Sequence, residues 1–484
     1  GPLEIRLANE QPILFPEKTT KRFIKFLIND AHTLDGRSLA SVGKLDVITT
    51  LSKEASKSKV AVSTRSPEGL KQVIKRFAER AFSSDLREEE LAPYHQPSLV
   101  ALKEGESFVE AAKIGLKAVL CSHRFLMAPG EHENQSYARA ASLARTFWLS
   151  VPDQESLKIS QLDKLNLKDV PAQVDRMMKD PKSKRMIHSF CNQWLDLRSF
   201  DQIAPSLKLY PLYNDLLNHY LPLETEAYLD HLLRENLPIG RLIDSDFSFL
   251  NQRLAQHYRI PGIFGQNLRK VSFEPKVPRG GLLTMGSVLK VTADGFDTSP
   301  ILRGAWISKN IAGNTLSPPP EEVEVIEPEH GKDAATLREQ IEEHKKSQAC
   351  YACHKSIDPY GFALESFDAT GQWREQYRVK KPHKATFVYR PKGYFDLVGK
   401  VDPSGEIARE KFSDIFGLKK ILLSDHKKIA YNFVKKFFEY ANGYKPSLKE
   451  RLDLFAMIPE QPEQCRMKDL ITKTLVYSME SQSE

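Results

Sequence analysis

Cys350-Tyr351-Ala352-Cys353-His354 decides how this chain is read. The stretch spells C-x-x-C-H, the attachment signal for a covalent c-type haem. The chemistry sets the spacing, because two thiols three positions apart on one turn of helix can add across the two vinyl groups of a haem edge. The adjacent imidazole then serves as the proximal ligand to iron. Two other readings of a C-x-x-C pair compete. A zinc site needs four ligands, and the remaining cysteines, Cys121, Cys191 and Cys465, form no second C-x-x-C. A thioredoxin-like redox pair belongs in a βαβ context, and no such pattern surrounds the motif. The expectation is one haem c, held covalently by Cys350 and Cys353, with His354 on the iron.

The residues that follow extend the reading. His354-Lys355-Ser356-Ile357-Asp358-Pro359-Tyr360-Gly361-Phe362-Ala363-Leu364-Glu365-Ser366-Phe367-Asp368 leads to Gly371-Gln372-Trp373-Arg374. This stretch resembles the haem segment of the planctomycete-type cytochrome c family, large bacterial proteins otherwise described only as domains of unknown function. Upstream, Arg279 to Leu289, Thr298-Ser299-Pro300 and Arg303-Gly304-Ala305-Trp306 resemble the segment that precedes the haem in that family. Pro318 to Pro320 and Thr336 to Gln340 continue it in the same order. Asp244 to Asn251, Arg253 to Tyr258, and a weaker stretch over 66–129 ending in Ser122-His123-Arg124-Phe125-Leu126 carry the likeness back to residue 66. It covers roughly residues 66–480. The resemblance implies a haem and leaves the reaction open.

Composition narrows the setting. The 484 residues are 41% hydrophobic and 27% charged, with a formal net charge of +7, ordinary values for a globular protein. No run of eighteen or so apolar residues appears, so no membrane-spanning segment is expected. Gly1-Pro2-Leu3-Glu4 reads as the remnant left by a tag-removing protease, and a native signal peptide is expected to have been lost. Covalent haem attachment normally takes place outside the cytoplasm, which places the chain in the periplasm or another extracytoplasmic compartment. Two of the five cysteines go to haem, and Cys121, Cys191 and Cys465 cannot all pair with one another. The apolar residues before Cys121 and Cys191 suggest buried free thiols. Lys182-Ser183-Lys184-Arg185 and Lys380-Lys381-Pro382-His383-Lys384 suit a redox partner protein with an acidic face, or a polyanion or polysaccharide. No aromatic-interleaved basic groove points to nucleic acid.

Hydrophobic spacing makes the chain mainly α. A 1–65 N-terminal helical segment precedes a 66–130 helical hairpin unit, in which Leu70, Val73, Ile74 and Phe77 share one helix face. A helical domain follows over 131–270. Glycines and β-branched residues make 271–328 a strand and loop bridging segment ending in a proline-rich connector. A cytochrome c-like helical haem unit occupies 329–484, led in by a helix over 336–346. Glu224 and Glu226, two apart on a long helical pattern, read as a solvated acidic face rather than an acid–base or di-metal pair, because no Glu-x-x-His helices accompany them.

A sixth iron ligand would decide the chemistry. Thioether sulfur closes the iron and suits electron transfer, whereas an open position admits peroxide or oxygen. Met285, in a glycine-flanked stretch, is the first choice, and Met457 is the second. Met467 and Met479 fit a helical core. Arg303, Trp373 and Arg374 are the choices for propionate contacts. Asp358-Pro359 is expected to end the motif helix. Three functional readings follow: a single-haem electron-transfer cytochrome, a haem-dependent oxidoreductase acting on peroxide or a carbohydrate-type substrate, and a scaffold stapled by its haem. No distal His–Arg pair is legible for the second.

Overall fold

Apolar residues at helical spacing dominate from residue 66 onward, and the fold is mainly α. The computed structural model describes residues 22–34, 37–49, 66–82, 86–126, 135–161, 164–314, 338, 341, 348–380 and 395–481. The chain divides into two compact units, Gly1–Met127 and Ala128–Glu484.

In the first unit, β1 (Arg22–Leu34) and β2 (Arg37–Thr49) form an antiparallel pair whose register runs from Arg22 opposite Thr49 to Leu34 opposite Arg37. This corrects the helical segment expected over 1–65. The signal was present in sequence: Asp35-Gly36 separates the last paired residues, and Asp-Gly is a favoured two-residue hairpin connection. Three long helices follow, Pro67–Phe82, Glu88–Lys103 and Phe108–Leu120, with a single further turn at His123–Leu126, in place of the expected helical hairpin. The middle one was hidden by Pro93 and Pro97, which argue against a helix interior. Both prolines and Glu89 are exposed, so the carbonyls deprived of a helical donor lie on the solvent side. Leu70, Ile74, Leu91, Ala111 and Val119 fill the core of this unit. Gly115 lets two helices close up, since a Cβ there would lie 2.5 Å from Ile74 Cδ1.

The second unit is built around aromatic packing between Lys184–Trp194 and His426–Asn442. Phe190 sits 5.2 Å from Trp194 and 5.6 Å from Phe437 by ring centroids, and Trp194 lies 5.4 Å from Phe433. The long helix Asp215–Arg234 supplies Leu221, Tyr228, Leu229 and Leu232 to the interior. The expected strand and loop bridge is corrected as well. Residues 282–311 hold a 3-10 turn (Leu282–Thr284), the helices Gly286–Val291 and Pro300–Trp306, and a π turn (Ile307–Ile311). Ser299 caps the second helix by accepting from Leu302 N, and Pro300 occupies its first turn, a start signal that outweighed the β-branched composition. Strands also occur where helix was expected: β3 (Phe247–Leu250) pairs with β4 (Arg269–Ser272), whose last two residues fall in the expected bridge, β5 (Gln376–Lys380) with β6 (Phe395–Lys400), and β7 (Gly405–Ile407) with β8 (Glu410–Phe412). The proline-rich connector and the helix expected over 336–346 lie outside the described residues, apart from Arg338 and Ile341.

Candidate haem-attachment site

The motif lies on the helix Gln348–Phe362, which does not end at Asp358 but runs on through Pro359. Packing overrides the bias against helix before proline. The neighbouring Pro300–Trp306 helix meets it without side chains between: a Cβ on Gly361 would lie 1.8 Å from Pro300 O, and one on Gly304 would lie 2.1 Å from Ile357 O. Cys350 and Cys353 occupy one turn of this helix, and their side chains lie outside what the structure describes. His354 follows, with its side chain 16% exposed. One turn on, Asp358 is fully buried and turns its carboxylate back to the imidazole, with Oδ1 3.0 Å and Oδ2 3.2 Å from Nδ1. A ring that donates Nδ1–H to a carboxylate carries its lone pair on Nε2, the tautomer a metal requires. The residues therefore fit covalent haem in two respects, thiol spacing on one helical turn and an imidazole with a fixed tautomer. Asp358, expected only to end the helix, contacts the ring instead, and its spacing of four from His354 puts both on one helix face.

Arg303 and Arg374 are brought together, but around Glu365 rather than around His354. Arg303 Nη1 donates to Leu364 O at 2.8 Å and Phe367 O at 2.7 Å, and Nη2 donates to Asp368 O at 3.0 Å. Arg374 Nη2 donates to Glu365 Oε2 at 2.9 Å and to Thr298 Oγ1 at 2.7 Å. Burial lowers the Arg303 guanidinium to about 10, with Glu365 acting against that shift, so it stays charged at neutral pH. Both guanidinium groups thus serve to tie the 364–368 turn to the Pro300–Trp306 helix. Trp373 sets its ring edge-on to Phe367 at 5.3 Å. Trp373 and Arg374 also border a cavity of about 810 Å³ shared with Tyr258, Arg279 and Lys400.

Met285 is buried, and its sulfur accepts from Thr225 Oγ1 at 3.3 Å. Among the described contacts none joins it to His354. Met457 follows the Leu448–Ala456 helix as its C-cap, and Met467 and Met479 are core residues as expected. Of the expected acidic face, Glu226 meets His188 Nδ1 at 2.7 Å near the surface, whereas Glu224 is buried. Glu224 accepts from Ser248 Oγ and from Tyr258 OH, each at 2.6 Å. Burial pushes its carboxyl up to about 7. Among the described residues no group of three or more His, Cys, Asp or Glu is placed to hold a metal ion. Cys121, Cys191 and Cys465 are free thiols, but Cys121 is exposed because it caps the Phe108–Leu120 helix.

Three family models match the chain in succession. Residues 70–129 match a protein of unknown function (DUF1595), residues 135–260 another (DUF1592), and residues 279–377 a third (DUF1588). All three are planctomycete cytochrome c-associated domains, and the last spans the motif helix. No curated protein and no solved structure matches the chain.

Proposed function

We propose that the chain is an extracytoplasmic single-haem c-type cytochrome that exchanges electrons with a partner protein. Cys350 and Cys353 would hold the haem covalently, and His354 would supply its axial nitrogen. The observation that carries the reading is the conjunction of two thiols and an imidazole on one helical turn, with that imidazole fixed by a buried carboxylate. The bound group would supply reversible one-electron chemistry at iron. The chain's own part is positional. The close crossing at Gly304 and Gly361 fixes the motif helix, Asp358 orients the His354 ring, and the Arg303–Glu365–Arg374 cluster holds the turn that leaves the helix. The three matching domains support the family context, and the net charge of +7 suits a partner with an acidic face. Among the described residues no helix is long and apolar enough to cross a membrane.

The test is covalent attachment in protein exported by a host that matures c-type cytochromes. The haem is expected to survive acid–acetone extraction of the denatured protein and to give a c-type pyridine haemochrome spectrum. Cys350→Ala weakens attachment, and His354→Ala removes the axial nitrogen while leaving the thioethers able to form. Complete extraction of haem from exported wild-type protein would overturn the reading.

The engagement of the Met285 sulfur by Thr225 favours a second reading, an iron open to exogenous ligands in a haem-dependent oxidoreductase. Cyanide added to the ferric protein separates the two. An immediate, stoichiometric spectral change belongs to an open iron, and resistance to cyanide belongs to an electron carrier.

A further inference from the structure

We infer that Asp358 is a positioning residue that strengthens His354 as an electron donor and thereby biases the site toward ferric iron. The inference rests on the reading of Cys350, Cys353 and His354 as a haem site. Asp358 presents both carboxylate oxygens to His354 Nδ1, at 3.0 and 3.2 Å, from a side chain with no exposed surface. A neutral carbonyl would orient the ring equally well. A carboxylate adds a full negative charge, in surroundings where water screens it little. Drawing the Nδ1 proton toward an anion raises the basicity of Nε2, and a stronger base stabilises the higher charge of ferric iron more than that of ferrous iron.

The backbone holds Asp358 in that role. Ile357 on one side has its carbonyl beneath Gly304, and Gly361 on the other lies against Pro300 O. Neither crossing leaves room for the helix to roll and swing the carboxylate away. Preorganisation of this kind separates a tuned ligand from one that merely finds a partner. Pro300 and Gly304 come from a helix some fifty residues earlier in the chain, so the tertiary fold supplies the rigidity.

The experiment uses the full haem-loaded chain and compares wild type with Asp358→Asn and Asp358→Glu. Asn keeps the shape and an acceptor oxygen but removes the charge. It should shift the ferric–ferrous equilibrium at least tenfold toward ferrous, a rise of about 59 mV for a one-electron couple. Glu, which retains the charge, should recover at least half of that shift. A potential unchanged in Asn, with covalent haem retained, overturns the inference and leaves the haem reading standing. Wild-type protein that loses its haem to acid–acetone overturns both. Histidine nitrogen NMR of the diamagnetic ferrous wild type, with carbon monoxide added where the iron is open, gives an answer that does not depend on the variants folding. A His354 Nδ1 shifted toward the imidazolate range supports the inference, and one at the neutral imidazole value overturns it.

Discussion

Arg303 and Glu365 meet at 3.2 Å with side chains 0% and 1% exposed, and Arg374 closes on the other oxygen of the same carboxylate at 2.9 Å. One anion thus sits between two guanidinium groups in the interior. It joins the Pro300–Trp306 helix to the turn that follows the motif helix. Burying charge is costly unless every charge is paired, so this cluster makes the local geometry an all-or-none matter.

Removing the shared carboxylate leaves two buried cations facing each other. Glu365→Gln should cost about 3–5 kcal/mol of unfolding free energy, the range for breaking a buried pair by loss of one partner. Arg303→Met should cost a similar amount, and the double variant less than the sum of the two, because the partners are coupled. Urea midpoints at unchanged slope provide the measure. A loss below 1 kcal/mol or so for Glu365→Gln would mean that the cluster is not the tie described here.

Glu224 gives stability a pH dependence of definite sign. Burial raises its folded-state pKa to about 7 from an ordinary value of 4.5, although the bonds from Ser248 and Tyr258 act to lower it. Between those values the folded protein binds more protons than the unfolded chain, so stability is highest at low pH and falls as pH rises toward 7. The loss is about 3 kcal/mol and is complete above the folded-state pKa. Glu224→Gln does not ionise, so its stability relative to wild type should climb by about that amount between pH 4 and pH 8. Parallel pH profiles for the two proteins would refute the assignment.

Glycine to alanine in a helix ordinarily stabilises by about 1 kcal/mol. At Gly361 and Gly304 the sign should reverse, because the new methyl would lie 1.8 Å from Pro300 O and 2.1 Å from Ile357 O, both backbone atoms. Each substitution should cost about 1–3 kcal/mol as the two helices are forced apart. Thermal midpoints that rise instead would show that the crossing is looser than described.

Met285→Leu conserves volume and removes sulfur. With the thioether engaged by Thr225, the variant should lose less than about 1.5 kcal/mol and keep the ferric visible spectrum of wild type. A changed spectrum with haem content intact would place Met285 at the iron and make this a closed electron carrier.

Local patterns carried a good part of this account. The C-x-x-C-H spacing, the His354–Asp358 separation of four, the Ser299-Pro300 helix start and the Asp35-Gly36 hairpin signal are each contained within a few residues. The last three are legible in the sequence, but each competes with a compositional signal of opposite sense. In the 271–328 segment β-branched residues outweighed capping chemistry, and over 1–65 a weak helical period outweighed a turn dipeptide.

The sequence by itself determined that thiols and imidazole share one helical turn, and that most of the chain is amphipathic helix, because both follow from spacing along the backbone. Only the tertiary structure decided what the buried polar groups do. Arg303 finds its carbonyl partners more than sixty residues away, Met285 finds its hydroxyl sixty residues before it, and Glu224 finds its phenol thirty-four residues after it. Periodicity reports which side of an element faces inward. It carries no record of which group waits on the other side, and in a low-dielectric interior that group fixes whether an arginine clasps a carboxylate of its own chain or a ligand.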